Sequence, residues 1–219
     1  MNHFAIAIDG PAASGKSTLA KKLAEKLGLV MVNSGAMYRA ATWKILSEGI
    51  SPSDTAAVLA LLDRTTFSCG RDGMLSTIAL NGNVPPDDAL RSPEVNANVS
   101  LTAAIPEIRT LLVDLQRGYL DHSSVVMEGR DIGSVVFPDT PYKIYVDASE
   151  EVREARRRAM GETDSLAKRD AADSQRKTAP LVVAEGAVVL DNSDHTVESG
   201  LAAMLEILRK QGLAWENEK

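Results

Sequence analysis

Phe4-Ala5-Ile6-Ala7-Ile8-Asp9-Gly10-Pro11-Ala12-Ala13-Ser14-Gly15-Lys16-Ser17-Thr18 decides how the rest of the chain is read. Its first five residues are uniformly apolar, as in a parallel strand covered on both faces, and Asp9-Gly10-Pro11 stops the run. From Gly15 the pattern turns helical, with Leu19, Leu23 and Leu27 on one side and Lys21, Lys22 and Lys26 on the other. Between strand and helix, residues 10–17 match G-x-x-x-x-G-K-[ST] at each fixed position, in the context that motif requires. The glycines let the chain wrap with its N–H groups pointing inward, forming an anion nest at a helix N-terminus. Lys16 adds a full charge there and Ser17 a hydroxyl suited to Mg²⁺. Gly10, Pro11, Ala12, Ala13, Ser14, Gly15, Lys16, Ser17 and Thr18 are therefore expected to hold a nucleoside triphosphate.

Outward from this loop, strands and helices keep alternating. Residues 29–32 read as a second strand and 36–48 as a second helix; 125–127, 142–146 and 187–190 supply further buried strands. Residues 196–210 close the chain as an amphipathic helix through Val197, Leu201, Leu205 and Leu208. The pattern predicts an α/β fold with a five-stranded parallel sheet and helices on both faces. Two stretches break the rhythm. Residues 65–86 alternate between the turn sequences Gly70-Arg71-Asp72-Gly73 and Asn81-Gly82-Asn83, which predicts a small three-stranded antiparallel insert. Residues 150–180 are rich in arginine and lysine and poor in apolar side chains. The expected organisation is one domain over 1–219, with an insert at 50–97 and a short closing lid at 150–180.

Composition narrows the function. Of the 219 residues 44% are hydrophobic and 25% charged, the balance of a soluble globular protein, and no apolar run approaches a membrane span or a leader peptide. A lone Cys69 fits a reducing compartment, so a cytoplasmic protein is expected. A net charge of −6 argues against a nucleic-acid binder and requires any anion to be met by a local cation cluster. His3, His122 and His195 lack metal-ligand spacing, and no stretch suggests a large apolar interface, so a monomer is expected. The chain has no N-K-x-D or D-x-x-G of a GTPase, and no apolar run is read as ending in an acidic box of the ATPase-motor type. A small kinase remains.

Its acceptor side is sought among charged segments at the carboxyl edge of the sheet. Residues 33–39 follow the second strand and Glu128-Gly129-Arg130-Asp131-Ile132-Gly133 the third; Arg109 lies on a helical stretch, and Arg169, Asp173 and Arg176 share a helical spacing. Each segment alone could be a solvated surface or an ion pair. Ser34-Gly35-Ala36-Met37-Tyr38-Arg39, Gly129-Arg130-Asp131-Ile132-Gly133-Ser134-Val135-Val136-Phe137-Pro138-Asp139 and the Arg169, Asp173, Arg176, Ala179-Pro180-Leu181 block, together with the phosphate loop, resemble bacterial cytidylate kinases and occur in that family's order. The resemblance runs from about residue 5 to about residue 208.

It implies phosphoryl transfer from ATP, with Mg²⁺, to CMP and dCMP. By resemblance, Ser34, Arg39, Arg130 and Arg176 hold the CMP phosphate, flanked by Tyr38; Ser100, Arg109 and Asp131 read cytosine; Arg169 and Asp173 meet the sugar. Lys16, Arg130, Arg176 and a lid arginine, Arg158, are the expected catalytic cations. The chain departs from the family at Asn33, where aspartate is common, and at Ala172 and Ser174, often arginine; its lid is also shorter. Arg156, Arg157 and Arg158 are candidates to supply the missing charge, or form a solvated helix face. Two rivals stay open: a kinase for another small molecule on the same core, and an interaction protein that binds ATP without efficient transfer.

Overall fold

A computed structural model describes residues 3–159, 171, 173–176 and 179–215. The first strand, β1 (Ala5–Asp9), is buried along its whole length and leads through the phosphate loop into α1 (Lys16–Leu27), which is capped at Gly28. Next come β2 (Val30–Asn33) and α2 (Ser34–Ser47), α3 (Thr55–Leu62), and the hairpin β3 (Phe67–Asp72) and β4 (Leu75–Leu80). Three helices follow: α4 (Asp87–Leu90), α5 (Pro93–Thr102) and α6 (Pro106–Arg117). The chain then forms β5 (Val125–Gly129), a single π-helical turn over Ile132–Val136, β6 (Lys143–Asp147), α7 (Glu150–Ala159), β7 (Val188–Asp191) and α8 (Val197–Lys210).

The strands make one sheet in the order β3-β4-β2-β5-β1-β6-β7. From β2 to β7 every neighbour is parallel, as the sequence predicts, with β1 flanked by β5 and β6. Alternate residues of the strands feed opposite cores. Ala5 and Ala7, Val30 and Val32, Val125 and Met127 pack towards α2, α5 and α6. Ile6 and Ile8, Met31 and Val126 face the other way, against Leu19 and Leu23 of α1 and Met204 and Leu208 of α8. Each buried Val, Ile, Leu or Met side chain among these is worth roughly 1.5–3 kcal/mol, so both faces of the sheet must be covered, and they are.

The insert differs from its expectation. It is a two-stranded hairpin rather than a separate three-stranded sheet: β3 and β4 pair antiparallel over six residues, and only the bridge between Leu80 and Asn83 extends them. The hairpin is fused to the central sheet by the pairing of Met31 with Leu75, which makes the sheet seven-stranded. The strand continues through Gly70 and Arg71, so the reversal falls at Gly73 and Met74, and Asn81 and Gly82 take the positive φ of the second turn. Residues 160–170, the middle of the expected lid, lie outside the described residues, as does Ala172.

Candidate active site

The carboxyl ends of β1, β2 and β5 open into one cavity of about 490 Å³, running between α2, α5, the phosphate loop and α7. The donor end is built from backbone. Gly10 has φ 151°, and a Cβ there would collide with the Val146 carbonyl oxygen; Gly15 has φ 90°, with Asn192 Nδ2 only 2.5 Å from where a Cβ would be. Both glycines are obligatory for close approach and left-handed backbone. Ala13 also takes φ 60°, a strained conformation that the surrounding bonds must hold. The first turn of α1 carries no acid and Gly15 gives it no side-chain cap. Its N–H groups and the positive end of its dipole are thus left for an anion.

Residues from distant parts of the chain brace the loop by its carbonyls. Asn192 Nδ2 donates to Ser14 O at 2.7 Å and Arg156 Nη1 donates to the same oxygen at 3.1 Å. Arg156 Nη2 reaches Asn192 O at 2.8 Å, and Arg153 Nη1 reaches Ala12 O at 3.3 Å. Lys16, buried, donates from Nζ to Pro11 O at 3.0 Å and lies 3.9 Å from Glu128 Oε2. Glu128 also accepts from Ser17 Oγ at 2.8 Å. This corrects the reading that no apolar run ends in a second acid: Val125-Val126-Met127 does, at Glu128, and parallel pairing of β5 with β1 sets it beside the loop. The signal was in the sequence, an acid closing a buried strand.

The acceptor end is built from side chains. Ser34, opening α2, donates from Oγ to Glu128 O at 2.8 Å, and Asn33 caps that helix by accepting from Ala36 N at 2.9 Å. The cap therefore needs no carboxylate. Tyr38, Arg39 and Ser100 line the same cavity. Arg109, buried on α6, pairs with Asp131, donates to Ala103 O at 3.1 Å and sits 5.5 Å over the Tyr38 ring. Burial lifts the Asp131 carboxyl above its ordinary range despite the opposing pull of Arg109, Arg176 and Arg130, and lifts the Tyr38 phenol to about 12. On the far wall Arg130 Nε donates to Asp173 Oδ2 at 2.8 Å, and Arg176 pairs with the other oxygen. Burial pushes Asp173 upward, but the two guanidinium groups outweigh it and hold the carboxyl below its usual value.

Most residues expected from the sequence thus meet around one cavity: the loop, Ser34, Tyr38, Arg39, Ser100, Arg130, Asp131, Asp173 and Arg176, with Arg109 paired behind them. Arg158 does not join them. It is exposed on α7, and Arg156 and Arg157 line the cavity instead. Helical spacing explains the difference, because three consecutive arginines point to three directions about 100° apart. Arg169 lies outside the described residues. Asn192 and the neighbouring His195, Thr196 and Val197 complete the donor end; they were missed, since only the pairing of β7 with β6 brings that segment to the loop.

A further residue ties the two ends together. Asp9, buried at the end of β1, accepts from Ile132 N at 2.8 Å and Gly133 N at 2.7 Å, and burial raises its carboxyl to about 7 despite those bonds.

Comparison with known proteins identifies the family. A family model described as cytidylate kinase matches residues 6–210. Two relatives named cytidylate kinase are each 40% identical to the chain. That of Streptomyces avermitilis aligns over 95% of this chain and 94% of its own; that of Caldanaerobacter subterraneus subsp. tengcongensis aligns over 94% of each. Among solved structures, TT1252 from Thermus thermophilus matches with a TM-score of 0.51 at 18% identity, covering 98% of this chain and 100% of its own, a likeness of fold alone. Loop, acceptor wall and near full-length similarity point one way, and the chain belongs to the cytidylate kinase family.

Proposed function

We propose that this protein transfers the terminal phosphoryl group of ATP to CMP and dCMP, releasing ADP with CDP or dCDP. The observation that carries the reading is a single cavity with Lys16 and the α1 N-terminus at one end and the Arg109–Asp131 pair at the other. A monophosphate dianion near neutral pH is already a nucleophile, so no general base is needed, and catalysis reduces to alignment and charge neutralisation. Lys16 meets the transferring phosphoryl group; Arg39, Arg130 and Arg176 fix the acceptor phosphate. Asp131 accepts from the cytosine amino group. Uracil presents a carbonyl at that place, leaving Asp131 facing an oxygen with no proton between them, which is how polar sites discriminate strongly. Asp173, held by Arg130 and Arg176, meets the sugar in this reading.

For Mg²⁺ the fit is good: the Ser17 hydroxyl and the Glu128 carboxylate form a hard-oxygen pair 2.8 Å apart beside Lys16. Ser17 would bind the ion and Glu128 would orient that hydroxyl or the ion's water. When bound, Mg²⁺ neutralises charge on the β- and γ-phosphates. The proposal includes a monomer working in the cytosol; among the described residues no helix is long and apolar enough to cross a membrane. The test is an ADP-release assay with ATP, Mg²⁺ and each of CMP, dCMP, UMP, AMP and GMP. Fast turnover on CMP and dCMP, weak on UMP and absent on purines is expected. ATP binding without turnover on any monophosphate would overturn the reading.

A further inference from the structure

Asp131 opens the turn that follows β5, and this creates a conflict. It occupies the N-cap position of the turn Ile132–Val136, with φ −147° and ψ 24°, where an aspartate ordinarily folds its own carboxylate back onto the next N–H groups. Here it makes no such bond, because its carboxylate is turned onto Arg109. The N–H groups that open the turn, Gly133 N, which it would cap, and Ile132 N beside it, are buried and cannot go without an acceptor. Asp9 supplies one for each: Oδ1 accepts from Ile132 N at 2.8 Å and Oδ2 from Gly133 N at 2.7 Å, across 123 and 124 residues of sequence. Strand register makes this possible, since Asp9 pairs with Gly129 at the end of β5 and its side chain can reach past Arg130 and Asp131 to the start of the turn. Position 133 is closely fitted as well; a Cβ there would lie 3.4 Å from Asp9 Oδ2 and 3.2 Å from Lys143 Cδ.

We infer that Asp9 is a positioning residue for base selection: by capping the 132–136 turn from a neighbouring strand it frees the Asp131 carboxylate to face Arg109 and the cavity. The inference rests on the proposed role of Asp131 in reading cytosine. Without Asp9, Gly133 N–H loses its acceptor, and Gly133 stands at the second position of the turn, which its own N-cap, Asp131, is placed to cap. Its carboxylate then turns back to cap its own helix and leaves the base end. Asparagine at position 9 keeps the volume but offers one acceptor, and sets an N–H group against the second N–H donor.

Asp9→Asn is therefore expected to raise the KM for CMP about tenfold or more and to lower the CMP-over-UMP preference by a similar factor, with the KM for ATP changed less than about threefold. In the Asp131→Asn background the same substitution should leave the preference unmoved, because its route of action is gone. A structure of Asp9→Asn should show the Asp131 carboxylate on Gly133 N rather than on Arg109. An unchanged KM and preference in a folded variant would overturn the inference, and so would a KM for ATP rising in step with that for CMP, which would place the effect in the adjoining Gly10. If wild-type enzyme shows no preference for CMP, the reading of Asp131 fails, while the turned or unturned Asp131 carboxylate still decides the capping relay. Should Asp9→Asn not fold, Asp9→Glu keeps the charge and displaces it by one methylene. The same kinetics and the same structure of that variant then support or overturn the inference in the same way.

Discussion

The two ends of the cavity solve the same electrostatic problem with different materials. At the donor end the anion site is the main chain itself, shaped by Gly10 and Gly15 and braced through the carbonyls of Ala12 and Ser14. At the acceptor end it is a set of guanidinium and carboxylate pairs: Arg109 with Asp131, Arg130 and Arg176 with Asp173. A backbone nest recognises phosphate whatever is attached to it, whereas a base must be told from its near twin by donors and acceptors at fixed points. The difference teaches where each end should be vulnerable. The donor end should fail when an atom is added, and the acceptor end when a charge is taken away.

The largest effect is expected on the acceptor side. Asp131→Asn leaves the buried Arg109 guanidinium without its counter-charge, and breaking a buried pair in this way costs about 3–5 kcal/mol of folding stability. Chemical denaturation measures that loss. In the folded variant the CMP-over-UMP ratio of kcat/KM should fall by about 10²-fold, because the asymmetry between amino and carbonyl is no longer read by a charge. ATP affinity should stay within about twofold. A variant that kept its cytosine preference would make the pair a structural element and erase the contrast between the two ends.

Gly15→Ala tests the other half. The added methyl would meet Asn192 Nδ2 at 2.5 Å in a backbone conformation that alanine resists. Either the Asn192 bond to Ser14 O breaks or the loop moves, and misplacing a phosphate by an ångström costs about 10²-fold in rate. The expected result is a drop of about that size in kcat/KM for ATP, with CMP binding, measured by calorimetry without ATP, essentially intact. Loss of CMP binding in parallel would show that the ends are one mechanical unit, a larger coupling than the Asp9 bridge implies.

The same contrast explains what could be read from the sequence. The donor end was legible because a backbone nest needs a short contiguous motif and a strand–helix context, both visible in residues 4–27. The parallel core was legible for a related reason: Ile6, Ile8, Val125, Val126 and Met127 are apolar at every step because both sheet faces are covered. Two of the acceptor end's pairs join residues 22 and 43 positions apart, and nothing local in Arg109 or Asp131 declares the partner; the sequence marks both as candidates, and only resemblance to a family gives them a base-reading role. Asn192 and Asp9 went unread because their work depends on strand order, which brings residue 192 to residue 14 and residue 9 to residue 132. The hairpin was recognised from its turns, but its fusion to the sheet hangs on the single pairing of Met31 with Leu75, for which the sequence carries no signal.

The smallest effect separates neighbours on α7. Arg156 holds the loop through Ser14 O and Asn192 O, whereas Arg158, two positions on, is exposed. Removing the Arg156 guanidinium still leaves Asn192 Nδ2 donating to Ser14 O, so the loop should loosen without collapsing. Arg156→Ala is expected to raise the KM for ATP by roughly tenfold, comparable to the loss of one or two hydrogen bonds from a charged donor. Arg158→Ala removes a solvated charge from a helix face, where substitutions stay within about 0.5 kcal/mol, and should change neither KM by more than about twofold. Steady-state kinetics on the two variants side by side decide the matter. If Arg158→Ala proved the more damaging, the helix would have to turn its outer face inward during turnover. The donor end would then owe its charge to a moving side chain rather than to a braced backbone, and the contrast with the acceptor end would be one of timing as much as of material.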